Sequence, residues 1–222
     1  MTTASLCIIQ ARYGSTRLPG KMLLELGGDT LIARAWRLAC AAFGRENCVV
    51  AIPRADDDGP LGEELRRIHA HVFLWDGAEN DVLGRFWACA HLNLWHPDAV
   101  VFRWTPDDPF KHIASCRRVA SGERLPVELA GEAFTLAMLD AAQSREPHGD
   151  HDWQPVLGSA PPSNPRREHI TDALFPFRVP VMPGDGWTVD TAADYTAAIA
   201  RELASRPPLT DGGVLTAPVP TP

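Results

Sequence analysis

The chain has 222 residues, 45% of them hydrophobic and 22% charged, with a formal net charge of −7. At roughly 150 residues per domain this is one large domain or one domain with a small lobe, with enough apolar mass for a real core. The acidic balance argues against a basic nucleic-acid-binding surface, and with no run of about 18 apolar residues a membrane span is not expected.

Ser5 to Gln10 is a short apolar run that predicts a buried strand, feeding a Gly/Pro-punctuated loop from Arg12 to Gly20. Asp29 or Thr30 is placed to cap a helix running to about Phe43, with Leu31, Ile32, Ala35 and Leu38 on one face. Cys48–Ile52 predicts a second buried strand, DDDGP (56–60) a turn, the stretch to about His69 a helix, and Val72–Trp75 a third strand. Val82–Trp95 reads as a helix, Ala99–Trp104 as a fourth strand, TPDDPF (105–110) as a loop, and Lys111–Ala120 as a helix. This β-α alternation with short loops predicts a mostly parallel sheet with helices on both faces, an α/β fold that binds ligands at the C-terminal strand ends.

After residue 121 the rhythm breaks. Ala133–Ala142 reads as helix, and 146–166 as an irregular excursion or oligomerisation arm. Arg167–Leu174 reads as a short helix, Phe177–Val181 as a strand, and Ala192–Ala204 as a last helix. Residues 206–222, with five prolines, read as a flexible tail behind a single domain of residues 1–205. The five cysteines (Cys7, Cys40, Cys48, Cys89 and Cys116) form no C-x-x-C pair and read as free buried thiols of a reducing compartment. MTTAS lacks a positively charged signal-peptide start, so a cytoplasmic protein is expected.

The chemistry concentrates in Arg12–Lys21. Arg12, Arg17 and Lys21 are interleaved with Gly14, Ser15, Thr16 and Gly20. Glycine lets backbone N–H groups approach phosphate oxygens, arginine offers a bidentate fork, and lysine a point charge. The spacing is not that of the Walker A loop, because Gly14 and Gly20 stand too far apart and Met22 follows Lys21. On composition alone the stretch also reads as a solvated turn with scattered charges.

Four further blocks follow IIQARYGSTRLPGKML (8–23). They are GAENDVLGRFWACA (77–90), RWTPDDPF (103–110), REHIT (167–171) and WTVDTAADY (187–195). In this order they resemble the cytidylyltransferases that activate acidic sugars, most closely the polysaccharide-biosynthesis branch and more distantly the Kdo (3-deoxy-manno-octulosonate) cytidylyltransferases. The resemblance implies a Rossmann-like nucleotidyltransferase fold, usually a homodimer. It also implies a reaction in which CTP and an acceptor hydroxyl give a CMP-linked product and pyrophosphate.

The same resemblance implies the site. Gln10, Ala11, Arg12, Gly14, Ser15, Thr16, Arg17, Lys21 and Arg85 would contact the nucleotide, with Arg12, Lys21 and Asp107 catalytic. Asp107 and Asp190 would hold Mg²⁺, and Arg103, Glu168, His169 and Thr171 would recognise the acceptor. The residue types suit these roles, since Mg²⁺ takes oxygen ligands and spans phosphates. Each aspartate also reads as a turn or cap residue, and Arg85 equally as a solvated helix arginine. Glu79 and Asp81 read as caps of the helix that follows them. Asp108 has no fixed acid opposite it in the family pattern.

Two departures stand out. Pro106 replaces the family's glycine before Asp107, which removes an N–H donor. Ala192-Ala193 replaces Pro-Glu after Thr191. The first feeds a second reading, a non-catalytic nucleotide-binding or scaffold protein, and a phosphonate-type acceptor is a third. EHITD (168–172) is no H-E-x-x-H zinc motif, HGDHDW (148–153) reads as a solvated loop rather than a metal site, and Trp104 and Trp187 flank the acidic positions as pocket candidates.

Overall fold

The computed structural model describes residues 5–94, 96–123, 125, 127–144 and 188–205. Its centre is a five-stranded sheet. Strand β1 (Ser5–Gln10) is flanked by β4 (Cys48–Pro53) and β6 (Val100–Trp104), both parallel to it. Strand β5 (Val72–Trp75) extends the sheet beyond β4, and β7 (Glu132–Thr135) closes the other edge antiparallel to β6. All six residues of β4 are buried, as a strand covered on both faces requires.

The alternation along β1 sorts the core into two layers. Cys7 and Ile9 face helices α1 (Leu31–Phe43), α2 (Pro60–Arg67) and α4 (Ile113–Ala120), packing with Trp36, Leu61 and Cys116. Leu6 and Ile8 face helices α3 (Val82–Asn93) and α6 (Leu136–Ser144), packing with Leu83, Phe86 and Leu139. Helices therefore cover both faces, as expected. A short helix α5 (Val127–Ala130) precedes β7.

Helix boundaries follow their caps. The Thr30 side chain accepts from Ala33 N–H at 3.1 Å and starts α1, while Asp81 accepts from Gly84 N–H at 3.0 Å and starts α3. Helix α7 (Ala192–Ala204) opens on a capping box in which Thr191 and Asp194 bond reciprocally. Thr191, and not Asp190, is thus the cap, which leaves the Asp190 side chain for other partners. A two-residue hairpin, β2 (Glu25–Leu26) and β3 (Asp29–Thr30), turns through Gly27 and Gly28 at φ of 71° and 97°. Two successive positive φ values are strained for any residue with a Cβ. Leu26 and Leu31 pack there with Val189 and Ala198, docking α7 onto the hairpin.

One element differs from expectation. Ala133–Ala142 is not one helix, because its first three residues lie in β7 and the helix begins at Leu136. Glu132 and Phe134 are buried in strand alternation, and pairing with β6 overrides the helical composition. The excursion at 146–166, the elements expected over 167–181, the HGDHDW segment, Trp187 and the tail 206–222 lie outside the described residues. No helix among the described residues is long and apolar enough to cross a membrane. All five cysteines are free, and burial raises the thiols of Cys7, Cys40, Cys89 and Cys116, which makes them poor nucleophiles.

The strand order is β5-β4-β1-β6-β7. The chain builds outward from β1 through β4 to β5, then returns to lay β6 on the other side of β1. The order reverses between β1 and β6, and beyond their C-terminal ends such sheets form a ligand crevice.

Candidate active site

The crevice is built from three loops. The first leaves β1 at Gln10 and Ala11 and runs to Gly20, whose φ of 68° turns the chain into a single 3₁₀ turn, Lys21–Leu23. This turn aims Lys21 back across the sheet end. The second loop leaves β6 after Trp104. Asp108 N–H bonds to Thr105 O at 3.3 Å, so Thr105–Asp108 is a β-turn with Pro106 at its second position. Proline's fixed φ suits that position, and its missing N–H is one that the turn does not use. The third segment, residues 188–190, lies against the second: Val189 N–H donates to Asp107 O at 2.7 Å.

These loops bring Lys21, Asp107 and Asp190 together. Lys21 Nζ donates to Asp107 Oδ2 at 2.7 Å and to Asp190 Oδ1 at 3.0 Å, with Val189 O at 3.4 Å. Arg17 Nη1 pairs with the other oxygen of Asp190 at 3.0 Å. Burial on its own would lower the Lys21 ammonium, but the Asp107 charge, and Asp190 with it, outweigh burial and hold Lys21 above its ordinary value. One nitrogen touching a carboxylate from each of two distant segments means that a single small cation can meet both oxygens. The donors are hard oxygens, which suit Mg²⁺, with phosphate oxygens and water left to fill its shell. Among the described residues no set of three or more His, Cys, Asp or Glu forms a self-sufficient metal cage.

The rest of the first loop is also held by carboxylates. Arg12 Nη1 lies 3.5 Å from Glu79 Oε1, and Tyr13 N–H donates to Asp56 Oδ2 at 2.8 Å. Gly14 admits Glu79 closely, since a Cβ there would sit 3.0 Å from its Oε1. Asp56 and Glu79 belong to segments that sequence reasoning did not connect to this loop. Only their shared place above the ends of β4 and β5 does so.

Arg85 is not a solvated helix arginine. It is 0% exposed, on α3, and none of its three side-chain nitrogens has a hydrogen-bond partner among the described residues. Burial first, and the charge of Arg12 second, push it down to about 10. A buried, unpaired guanidinium is costly. It stays tolerable where nearby carboxylates offset part of its charge, here Asp81, Glu79 and Asp56, and where an acceptor arrives with a ligand.

Arg103 sits in a different arrangement. Its Nε donates to Gln10 Oε1 at 3.1 Å and its Nη1 to Glu132 Oε2 at 2.8 Å, so the guanidinium is gripped from both flanking strands. Glu132 had no sequence signal, because it lies just before Ala133–Ala142, which read as helix, and only the pairing of β7 with β6 places it beside Arg103. Trp104 is 1% exposed and belongs to the core, so it does not line the pocket. Glu168, His169 and Thr171 lie outside the described residues.

Comparison with known proteins agrees with this fold. The family model described as "Cytidylyltransferase" matches residues 6–122. The 3-deoxy-manno-octulosonate cytidylyltransferase of Methylococcus capsulatus is 35% identical over 113 residues, 51% of this chain and 42% of that protein. The spore coat polysaccharide biosynthesis protein SpsF of Bacillus subtilis is 38% identical over 109 residues, 47% of this chain and 43% of that protein. The chain thus matches less than half the length of these relatives. Among solved structures, a cytidylyltransferase from Leptospira borgpetersenii superposes with a TM-score of 0.67 at 23% identity, covering 89% of this chain and 86% of that one. A CMP:2-keto-3-deoxy-manno-octonic acid synthetase solved with CTP gives 0.62 at 16% identity, covering 91% and 99%. At such identities the superpositions speak for the fold. The family match covers more than half of the chain, including the cation loop, Arg85 and Asp107, and on that ground this protein belongs to the cytidylyltransferase family.

Proposed function

We propose that this protein transfers CMP from CTP to a hydroxyl of a small acidic sugar and releases pyrophosphate. The observation that carries the reading is Lys21 held between Asp107 and Asp190 at the reversal point of the sheet, with Arg17 on the same carboxylate. Three loop cations paired to carboxylates form a site that exchanges internal partners for an incoming polyanion without leaving charge unbalanced. The relatives' names supply the acceptor class, an acidic 3-deoxy sugar.

In this reading Arg12, Arg17 and Lys21 take the phosphates of the leaving pyrophosphate, with Gly14, Ser15 and Thr16 presenting the loop backbone. Gln10 and Ala11 hold the nucleoside end, and Arg85 supplies buried donors to a nucleotide oxygen. Asp107 and Asp190 would hold Mg²⁺, which supplies positive charge at the reacting phosphate when bound. Arg103, fixed by Gln10 and Glu132, would pair with the acceptor's acid, and Glu168, His169 and Thr171 are proposed to recognise other groups of the acceptor. The protein's share of catalysis is positioning and charge neutralisation, with no covalent intermediate. A cytoplasmic homodimer completes the proposal. Pro106 offers no support for a non-catalytic relative, because the turn accommodates it.

The test is pyrophosphate release with Mg²⁺, run with CTP, UTP, GTP and ATP against a panel of acidic sugars and a phosphonate. Release that requires CTP and a 3-deoxy acidic sugar is expected. Tight CTP binding without release for any acceptor would overturn the transferase reading in favour of a binding protein.

A further inference from the structure

Asp108 follows Asp107 in sequence but is sealed from solvent, 5% exposed. Its Oδ2 accepts from Thr105 Oγ1 at 2.5 Å and from Lys111 Nζ at 2.8 Å, and the Lys111 side chain is 0% exposed. Its other oxygen, Oδ1, accepts from Thr188 Oγ1 at 2.5 Å. Thr188 stands two residues before Asp190. Besides the bridge through Lys21, the turn carrying Asp107 and the segment carrying Asp190 are therefore joined directly twice: by Val189 N–H to Asp107 O, and by Thr188 through Asp108. A third tie lies outside them. Arg34 Nε donates to Pro109 O at 2.9 Å while its Nη2 pairs with Glu202 of α7 at 3.1 Å.

We propose that Asp108 and Thr188 are positioning residues that set the separation between the Asp107 and Asp190 carboxylates. The proposal rests on the nucleotidyl-transfer reading of the site. Asp107 and Asp190 come from segments 83 positions apart in the chain, and nothing in either segment alone fixes the distance between their oxygens. The Asp108 carboxylate is itself fixed by a buried ammonium and a hydroxyl from its own loop. It is therefore a rigid post, and Thr188 is the one group of the third segment that docks on it by side chain. Removing the Thr188 hydroxyl leaves the Asp108–Lys111 pair and the Val189 bond in place, so the fold is kept while the post loses its hold on the Asp190 segment.

The experiment compares wild type, Thr188→Val and Thr188→Ser. Mn²⁺ is titrated into protein saturated with CTP and followed by water-proton relaxation, alongside the Mg²⁺ dependence of pyrophosphate release. Thr188→Ser is expected to match wild type. Thr188→Val is expected to hold Mn²⁺ about fivefold more weakly and to need correspondingly more Mg²⁺, because outer partners orient metal ligands. Its KM for CTP is expected to stay near wild type while its melting temperature falls by a few degrees, because buried Asp108 Oδ1 loses its donor; a merely structural role would lower the melting temperature without weakening Mn²⁺. Identical Mn²⁺ titrations for Thr188→Val and wild type would overturn the positioning role alone. Wild-type protein that holds no Mn²⁺ with CTP would overturn the transfer reading, and this proposal with it.

Discussion

Two lysine–aspartate pairs lie side by side in this protein and differ in almost every respect but distance. Lys21–Asp107 spans 2.7 Å and Lys111–Asp108 2.8 Å. The first is partly open, shares its lysine with Asp190, and stands in the crevice. The second is closed, with side-chain exposures of 0% and 6%, and its carboxylate oxygens are all engaged. Adjacent residues of one turn thus point to opposite fates. An ion pair serves binding when a ligand can reach it and take over its partners, and serves scaffolding when every lone pair is already used.

The largest effect that tests this contrast is on stability. Asp108→Ala leaves Lys111 buried without its carboxylate and is expected to cost about 3–5 kcal/mol, seen as a melting temperature lower by at least about 6 °C. A melting temperature within 2 °C of wild type, on the same scale of about 2–4 °C per kcal/mol, would show that the second pair is no scaffold. Asp107→Ala inverts the pattern. Lys21 keeps Asp190, so stability is expected to hold, while kcat falls about 100-fold or more, equal to about 2.7 kcal/mol of transition-state stabilisation. Near-full turnover in that variant would remove Asp107 from the metal set.

Arg85 extends the comparison to a buried cation with no hydrogen-bond partner among the described residues. Replacing it by methionine removes an unpaired buried charge, so Arg85→Met is expected to gain about 1–2 kcal/mol in unfolding free energy while CTP binding weakens. Gains in both, or losses in both, would contradict its reading as a ligand-directed group. The smallest effect is at the start of α7. Thr191→Ala breaks the capping box at a cost of about 1 kcal/mol. Hydrogen bonds from Thr191, first its side chain, lower Asp194 below its usual 3.8. A depressed carboxylate stabilises the fold above its unfolded value and loses that contribution as pH falls through the folded one. The difference between wild type and Thr191→Ala should therefore be full at neutral pH and shrink below about pH 3.8, where chemical denaturation reads it.

The parts of this architecture that were legible in sequence are the local ones. Thr30 and Asp81 announce helices by their own hydrogen-bonding chemistry, and the apolar run Cys48–Ile52 announces a buried strand; at the last helix the cap reading fell on Asp190, where the structure has Thr191. Asp107, Asp190 and Lys21 stood out through motif blocks whose order the fold preserves. Non-local facts were not legible. Strand β7 hides in AFTLAMLDAA because its strand character comes from pairing with β6. Asp56, Glu79 and Glu132 gain their roles only when the sheet places them beside Tyr13, Arg12 and Arg103. Asp108 could not be told from Asp107 by residue type, because the turn alone decides which carboxylate faces inward.

The central claim is that the crevice carries out CMP transfer. Its most direct test is to incubate the protein with CTP, Mg²⁺ and a 3-deoxy-2-keto acidic sugar, and to quantify the CMP-linked product by mass spectrometry against pyrophosphate. One CMP conjugate per pyrophosphate, abolished in Asp107→Ala and retained in Thr188→Ser, is the predicted result. Pyrophosphate without conjugate, or conjugate formed equally well by Asp107→Ala, would contradict it.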